Sequence, residues 1–298
     1  MKIHGSLVNK QVNPPFKIGA ISWLLILLIA IVVGAFYLNQ SRLIYFPKRY
    51  PADLPAKEYL FGDKVNYDTS VGRQVGFYIP PLDASSEVRF PIWMLFAGNA
   101  SVALDWIGTL RELPSESQAF FLFDMPGYGF SQGAPSPDTI LEASVLAFSA
   151  LASHLGIPEN QLRERVKVLG FSLGAANGLA FAEKMSISEV VLLAPFTDMK
   201  DMAIRRVGWP LCHLLSHRFD NRSALTNLMK KNSSSVIFII HGGNDDVIPV
   251  EMGRSLAEIN PSRVEFKIVS GAGHNDLIGL SKDLIGDVML RAIDGELK

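Results

Sequence analysis

At 298 residues the chain is long enough for one ordinary α/β domain with segments to spare. Hydrophobic residues supply 48% of it, ample for a core, and a net charge of −1 without any basic stripe argues against a nucleic-acid partner. The single cysteine, Cys212, excludes an intrachain disulfide and a CxxC metal site. After an N-terminal tail (residues 1–17), residues 18–38 read IGAISWLLILLIAIVVGAFYL, with no charge over the whole stretch. As a helix this run covers about 30 Å, the thickness of a hydrocarbon core. Lys2, Lys10 and Lys17 precede it, Arg42, Lys48 and Arg49 follow, and Trp23 and Tyr37 stand near its ends as interfacial rings do. A cleaved signal peptide is the competing reading, with Val33-Gly34-Ala35 as its small-residue site, but the apolar run exceeds the usual h-region of about 7–15 residues. Residues 18–38 are therefore expected to be an uncleaved, single-pass membrane anchor. The flanking charges nearly balance, and the free amino terminus tips the N-terminus slightly toward the cytoplasm, with the main domain across the membrane.

Residues 39–58 form a juxtamembrane connector rich in aromatics and prolines, and residues 59–298 form the main domain. Tyr59–Tyr67 and Gln74–Ile79 read as antiparallel opening strands that turn around Ser70-Val71-Gly72. Ile92–Phe96 is a continuous apolar strand, followed by a helix through Leu104–Leu113 and a second strand at Ala119–Phe123. A long helix from Thr139, capped by Asp138, runs to His154. Strands at Val166–Leu169, Val190–Ala194, Val236–Ile240 and Val264–Val269 alternate with helices after Ser172, after Pro249 and from Asp276. Short buried strands separated by helices predict a mostly parallel sheet covered on both faces. The interval of about 196–235, with its amphipathic and irregular RRVGWPLCHLLSHRFDN, breaks the rhythm and is expected to be a small cap above the sheet.

The segment VKVLGFSLGAA (residues 166–176) carries the chemistry. A β-branched run enters Gly170-Phe171-Ser172-Leu173-Gly174, and a small-residue helix leaves it. A strand feeding directly into a helix through one serine lifts that hydroxyl clear of the sheet, and glycines two before and two after leave room for the turn. This proposes Ser172 as a nucleophile. Gly129-Phe130-Ser131-Gln132-Gly133 fits the same expression, but Ala134-Pro135-Ser136-Pro137 follows it, and two prolines so close cannot begin the helix that the turn requires.

A serine nucleophile needs a base, and the base needs an orienting acid. Of the six histidines, His4 precedes the anchor and His154 ends a helix as a C-terminal cap. His213 and His217 are spaced i, i+4 but lack a third ligand or an HExxH pattern, so a metal site is not expected. His241 closes a strand and fixes the turn that follows. His274 stands in SGAGHND, a glycine loop after the last strand that can reach across the carboxyl edge of the sheet, where ligands bind in such folds. Asp245 or Asp246, past the preceding strand in HGGNDDVIP, supplies the acid, Asp246 being the better suited of the two to capping the next helix.

The order Ser, Asp, His, each just past a successive strand, is that of α/β-hydrolases. From about Leu43 onward the chain resembles membrane-anchored serine hydrolases of that superfamily, above all the Bem46-like group with α/β-hydrolase domain-containing proteins 12, 13 and 17. The resemblance lies in LIYFP (43–47), LFAGNAS (95–101), DMPGYGFSQGAPS (124–136), LGFSLGAANGLAFA (169–182), HGGNDDVIP (241–249) and GAGHNDL (271–277). It implies an α/β-hydrolase fold with a mostly parallel sheet, helices on both faces, a small cap and an N-terminal transmembrane helix. It assigns the acid to Asp245 and the oxyanion loop to Gly98-Asn99-Ala100, with the main-chain N–H of Asn99 joining that of Leu173. Two departures stand out: Ala97 replaces the histidine of the family's HGNA, and Met125-Pro126 stands where a tyrosine or arginine is common. Main-chain donors survive both. The implied activity is hydrolysis of acyl ester or thioester bonds on a small-molecule or lipid-like substrate, with no metal or organic cofactor. A peptidase or acyltransferase on the same residues is the alternative enzyme. A catalytically silent membrane scaffold of the same fold is the alternative outside catalysis.

Overall fold

The computed structural model describes residues 19–51, 62–82, 90–113 and 117–297. The N-terminal tail, Ile18, residues 52–58 of the connector and the start of the first expected strand (residues 59–61) lie outside the described residues. Two units are distinct, Met1–Asn39 and Gln40–Lys298. In the first, helix α1 (Ala20–Leu38) is apolar from end to end. Over Ile21–Leu38 it is long and apolar enough to cross a membrane, a property that a signal sequence shares.

The second unit opens with a helical turn, α2 (Gln40–Ile44), and contains one eight-stranded sheet. Its strands are β1 (Asp63–Thr69), β2 (Gly72–Ile79), β3 (Ile92–Phe96), β4 (Ala119–Phe123), β5 (Val166–Phe171), β6 (Glu189–Leu193), β7 (Val236–Gly242) and β8 (Val264–Val269). They lie in the order β1-β2-β4-β3-β5-β6-β7-β8. β1 and β2 pair antiparallel, β2 joins β4 antiparallel, and every later pairing is parallel. β3 and β4 are buried at all positions, as continuous apolar runs on central parallel strands should be, while edge strand β1 buries only Val65 and Tyr67.

Helices cover both faces. α4 (Pro137–Leu155), α6 (Leu173–Met185) and α8 (Asn221–Lys231) pack one core through Phe148, Phe181 and Leu225. A 3₁₀ turn at Ala103–Trp106, α3 (Ile107–Glu112) and α11 (Lys282–Asp294) cover the other through Trp106, Leu110 and Val288. α5 (Glu159–Arg165), α7 (Met199–Val207), α9 (Val250–Ala257) and α10 (Leu277–Leu280) complete the set.

Three expectations are corrected. α4 starts at Pro137 rather than Thr139, because Ser136 is the N-cap and accepts from the Thr139 N–H; Asp138 lies within the first turn. His154 does not cap α4: Gly156, in the left-handed region at φ 64°, ends it, and the histidine lies 3.1 Å from Asp63. The stretch 196–235 is not all cap. Leu225 and Leu228 of α8 are fully buried in the main core, because Ala224, Leu225, Leu228 and Met229 repeat at helical spacing. Only α7 and the irregular segment before Asp220 remain outside that layer. Beneath them Phe196, Phe219 and Met199 join Leu173, Val102 and Tyr45 in a third cluster.

Candidate active site

β5 runs into α6 through Ser172, whose φ of 56° and ψ of −119° are strained for a residue with a Cβ, at a cost of about 1–3 kcal/mol. The turn is held to the neighbouring strand by the Ser172 N–H donating to the Leu193 carbonyl of β6 at 2.8 Å. Both flanking glycines are sterically required. A Cβ on Gly170 would lie 2.6 Å from the Gly174 carbonyl oxygen, and one on Gly174 would lie 2.0 Å from that of Phe96. A turn this tight projects the Ser172 side chain from the carboxyl end of the sheet and leaves the residue 9% exposed.

The loop after β8 brings His274 to Ser172. Gly271 takes φ 79°, the Ala272 carbonyl comes so close to Gly242 that a Cβ there would lie at 2.5 Å, and His274 then faces the elbow. Its Nε2 lies 2.9 Å from Ser172 Oγ and its Nδ1 2.7 Å from Asp245 Oδ2. The imidazole also lies against Phe171, with ring centroids 5.0 Å apart. Oδ1 of Asp245 accepts the main-chain N–H groups of Val247 and Ile248 at 2.9 and 2.7 Å. His241, fully buried, lies with Nε2 2.8 Å from the Ile248 carbonyl and 3.5 Å from Asp245 Oδ2, so it secures the turn as expected. Burial pushes the Asp245 carboxyl upward, but hydrogen bonds from His241, His274 and Ile248 outweigh it and hold the group well below the usual carboxylate range. An ionised Asp245 fixes the proton on His274 Nδ1 and turns a lone pair on Nε2 toward the serine. Asp246 is exposed and does not cap α9, whose N-cap is Pro249.

Asn99 lies in the loop after β3, where Ala100 takes φ 58°. Among the described residues, no protein acceptor takes the main-chain N–H of Asn99 or of Leu173. The sequence singled out Asn99 for its N–H alone, yet its side chain is the more heavily used part. Oδ1 accepts from the Phe46 N–H (2.9 Å), the Tyr128 hydroxyl (2.7 Å) and the Ala100 N–H (3.1 Å), while Nδ2 donates to the Ile44 carbonyl at 2.6 Å. The connector is thus tied to this loop. It goes on to bind the loop after β4, where Arg49 donates to the Gly129 and Ser131 carbonyls and the Tyr50 hydroxyl donates to Asp124. These are long-range contacts that no local pattern announces.

The second Gly-x-Ser-x-Gly is structural. Ser131 is fully buried, its Oγ donates to the Asp124 carbonyl at 2.8 Å and accepts from the Val75 N–H at 3.1 Å. Gly129 is required there because a Cβ would strike the Asp124 carboxylate at 2.1 Å. Burial raises the Asp124 carboxyl, against hydrogen bonds from Ala103, Phe130 and Tyr50. His213 and His217 do not act as a pair: His213 is exposed and His217 Nδ1 lies 3.3 Å from the Tyr45 hydroxyl.

A family model described as alpha/beta hydrolase fold matches residues 94–211. The Mycobacterium tuberculosis protein Rv2307c is 27% identical over 264 residues, 88% of each chain. Alpha/beta hydrolase domain-containing protein 17C of Xenopus tropicalis is 32% identical over 158 residues, 53% of this chain and 47% of that one. Among solved structures, the Pyrococcus furiosus esterase Pf2001 superposes with a TM-score of 0.61 at 18% identity, covering 84% of this chain and 98% of that one. With the strand order and the elbow, these findings show the α/β-hydrolase fold and support a member of that superfamily. The partial likeness to α/β-hydrolase domain-containing proteins and the likeness to esterases of this fold support hydrolase activity.

Proposed function

We propose that the protein is a membrane-anchored serine hydrolase that cleaves acyl ester or thioester bonds, with Ser172 as nucleophile, His274 as base and Asp245 as orienting acid. The observation that carries this reading is the unbroken row from Asp245 Oδ2 through His274 to Ser172 Oγ, at 2.7 and 2.9 Å, on a strained elbow. His274 Nε2 takes the Ser172 proton as Oγ bonds to the acyl carbon, and the carbonyl π pair moves onto oxygen. The main-chain N–H groups of Asn99 and Leu173 donate to that oxyanion. Collapse expels the alkoxide or thiolate, which takes the proton from His274 and leaves an acyl-Ser172 ester behind. His274 then deprotonates water for the second attack and returns the proton to Ser172, releasing the acid. Asp245, ionised throughout, stabilises the imidazolium formed in each half.

The anchor is α1, and a bilayer next to the domain favours an apolar acyl group as substrate. Labelling with a fluorophosphonate probe tests the chemistry. Wild type and Ser131→Ala are expected to label and Ser172→Ala to remain unlabelled. Labelling that survives Ser172→Ala but vanishes with Ser131→Ala would overturn the assignment. Failure of every form to label would favour a scaffold of hydrolase fold.

A further inference from the structure

We infer that the outer face of the cap and the connector together dock onto an anionic phospholipid surface, so that the domain lies on the bilayer instead of hanging from its anchor. Trp209 is 81% exposed, and Ile204 and Val207 beside it are exposed as well. Interleaved with them are Arg205 and Arg206. From Met202 to Phe219 the sequence contains three arginines and no acidic residue, in a chain of net charge −1. The connector repeats the composition: Leu43 and Phe46 are more than half exposed, and residues 40–50 carry Arg42, Lys48 and Arg49 without an acid. Lys48 pairs with Asp105, but among the described residues no acidic side chain pairs with Arg42, Arg205 or Arg206. Exposed aromatic and aliphatic side chains mixed with unpaired guanidinium groups match a headgroup layer over acyl chains.

Cap and connector are in direct contact. Gln40, only 1% exposed, donates from Nε2 to the Leu214 carbonyl at 2.6 Å and accepts the Ser216 N–H at 2.7 Å. The Tyr45 ring packs edge-on to His217. Gln40 is also the second residue after Leu38, the last residue of α1, so no linker separates the apolar helix from the cap. The docking rests on α1 being the anchor, as proposed above, because the connector then begins one residue past the membrane-spanning helix in the chain. A cleft of about 520 Å³ opens along the connector between Arg42, Tyr45, Phe46 and Lys48 and reaches Ala100 of the oxyanion loop, though neither Ser172 nor His274 lines it.

Tryptophan fluorescence on the full chain tests the docking. Trp93 and Trp106 are buried, so in Trp23→Phe protein the lipid-accessible emission is that of Trp209. The protein is reconstituted into phosphatidylcholine vesicles with about 30% phosphatidylserine, with lipids brominated near the top of the acyl chain as quenchers. Trp209 is expected to be quenched. Quenching should fall several-fold when Arg42, Arg205 and Arg206 are all replaced by glutamate, when phosphatidylserine is omitted, or when about 1 M salt shortens the screening length to about 3 Å. Unquenched Trp209 beside quenched Trp23 (read in Trp209→Phe protein) would overturn the docking while leaving the anchor intact. Quenching equal in pure phosphatidylcholine and in the triple variant would overturn the anionic surface as its occupant. If Trp23 escapes quenching too, α1 is not inserted and both readings fall, independently of whether Ser172 labels.

Discussion

Asp245→Asn separates orientation from mere space filling. Asp245 Oδ1 accepts two main-chain N–H groups, Val247 at 2.9 Å and Ile248 at 2.7 Å, and that position must remain an oxygen. The new amide nitrogen therefore falls where Oδ2 stood, 2.7 Å from His274 Nδ1. Two donors cannot face each other, so His274 gives up its Nδ1 proton and carries it on Nε2, pointing at a serine whose proton it can no longer accept. Loss by a wrong tautomer is worth about 10⁴-fold in kcat, or about 5.5 kcal/mol of transition-state stabilisation. The main-chain bonds survive, so the thermal midpoint should drop by only a few degrees. Turnover of a chromogenic ester, the rate of fluorophosphonate labelling and a thermal melt on the same preparation give the comparison. A variant that melts near wild type yet retains kcat/KM within about tenfold would refute the tautomer argument and with it the role given to Asp245.

Asn99→Ala strips partners from Ile44, Phe46 and Tyr128. At about 1 kcal/mol for each net bond, calorimetry should show about 2–3 kcal/mol of destabilisation, and kcat should fall up to about 100-fold with KM little changed as the loop loses its brace. Gly174→Ala sets a Cβ 2.0 Å from a main-chain oxygen that cannot move aside and should cost at least about 3 kcal/mol in chemical denaturation, whereas Gly279→Ala, with nothing within 4 Å, should change stability by less than about 0.5 kcal/mol. The lowered Asp245 carboxyl stabilises the fold above the ordinary carboxylate value of about 3.9, and that contribution is lost as pH falls through its lower folded value. The stability gap between wild type and Asp245→Asn should therefore narrow as pH falls below about 5. Asp124, raised by burial, acts with the opposite sign and cancels in that difference.

Much of the fold could be read from the sequence because central strands are unbroken apolar runs. IWMLF and AFFLF match β3 and β4 residue for residue. Strand–serine–helix context likewise separated Ser172 from Ser131, since prolines at 135 and 137 forbid an elbow at the second motif. α5 went unforeseen because ENQLRER buries one residue, Leu162, and carries almost no periodic signal. The assignment of α8 to the cap overlooked the apolar spacing from Ala224 to Met229, which its polar flanks dilute. The bracing by Asn99 could not be foreseen, because its partners lie 29 to 55 residues away and are brought together only by the finished sheet.

The hydrogen bonds that bind Ile44, Phe46, Arg49 and Tyr50 to the loops after β3 and β4 bear on how a soluble form of this protein should be cut. The evident place to trim is just before β1 at Asp63, which discards the apolar helix together with the aromatic stretch behind it. That cut would leave Asn99 facing solvent on its connector side and Asp124 without its tyrosine. Cleavage at Asn39 removes the helix and keeps every one of these bonds. A preparation trimmed at Asp63 and found inactive would therefore say nothing about Ser172.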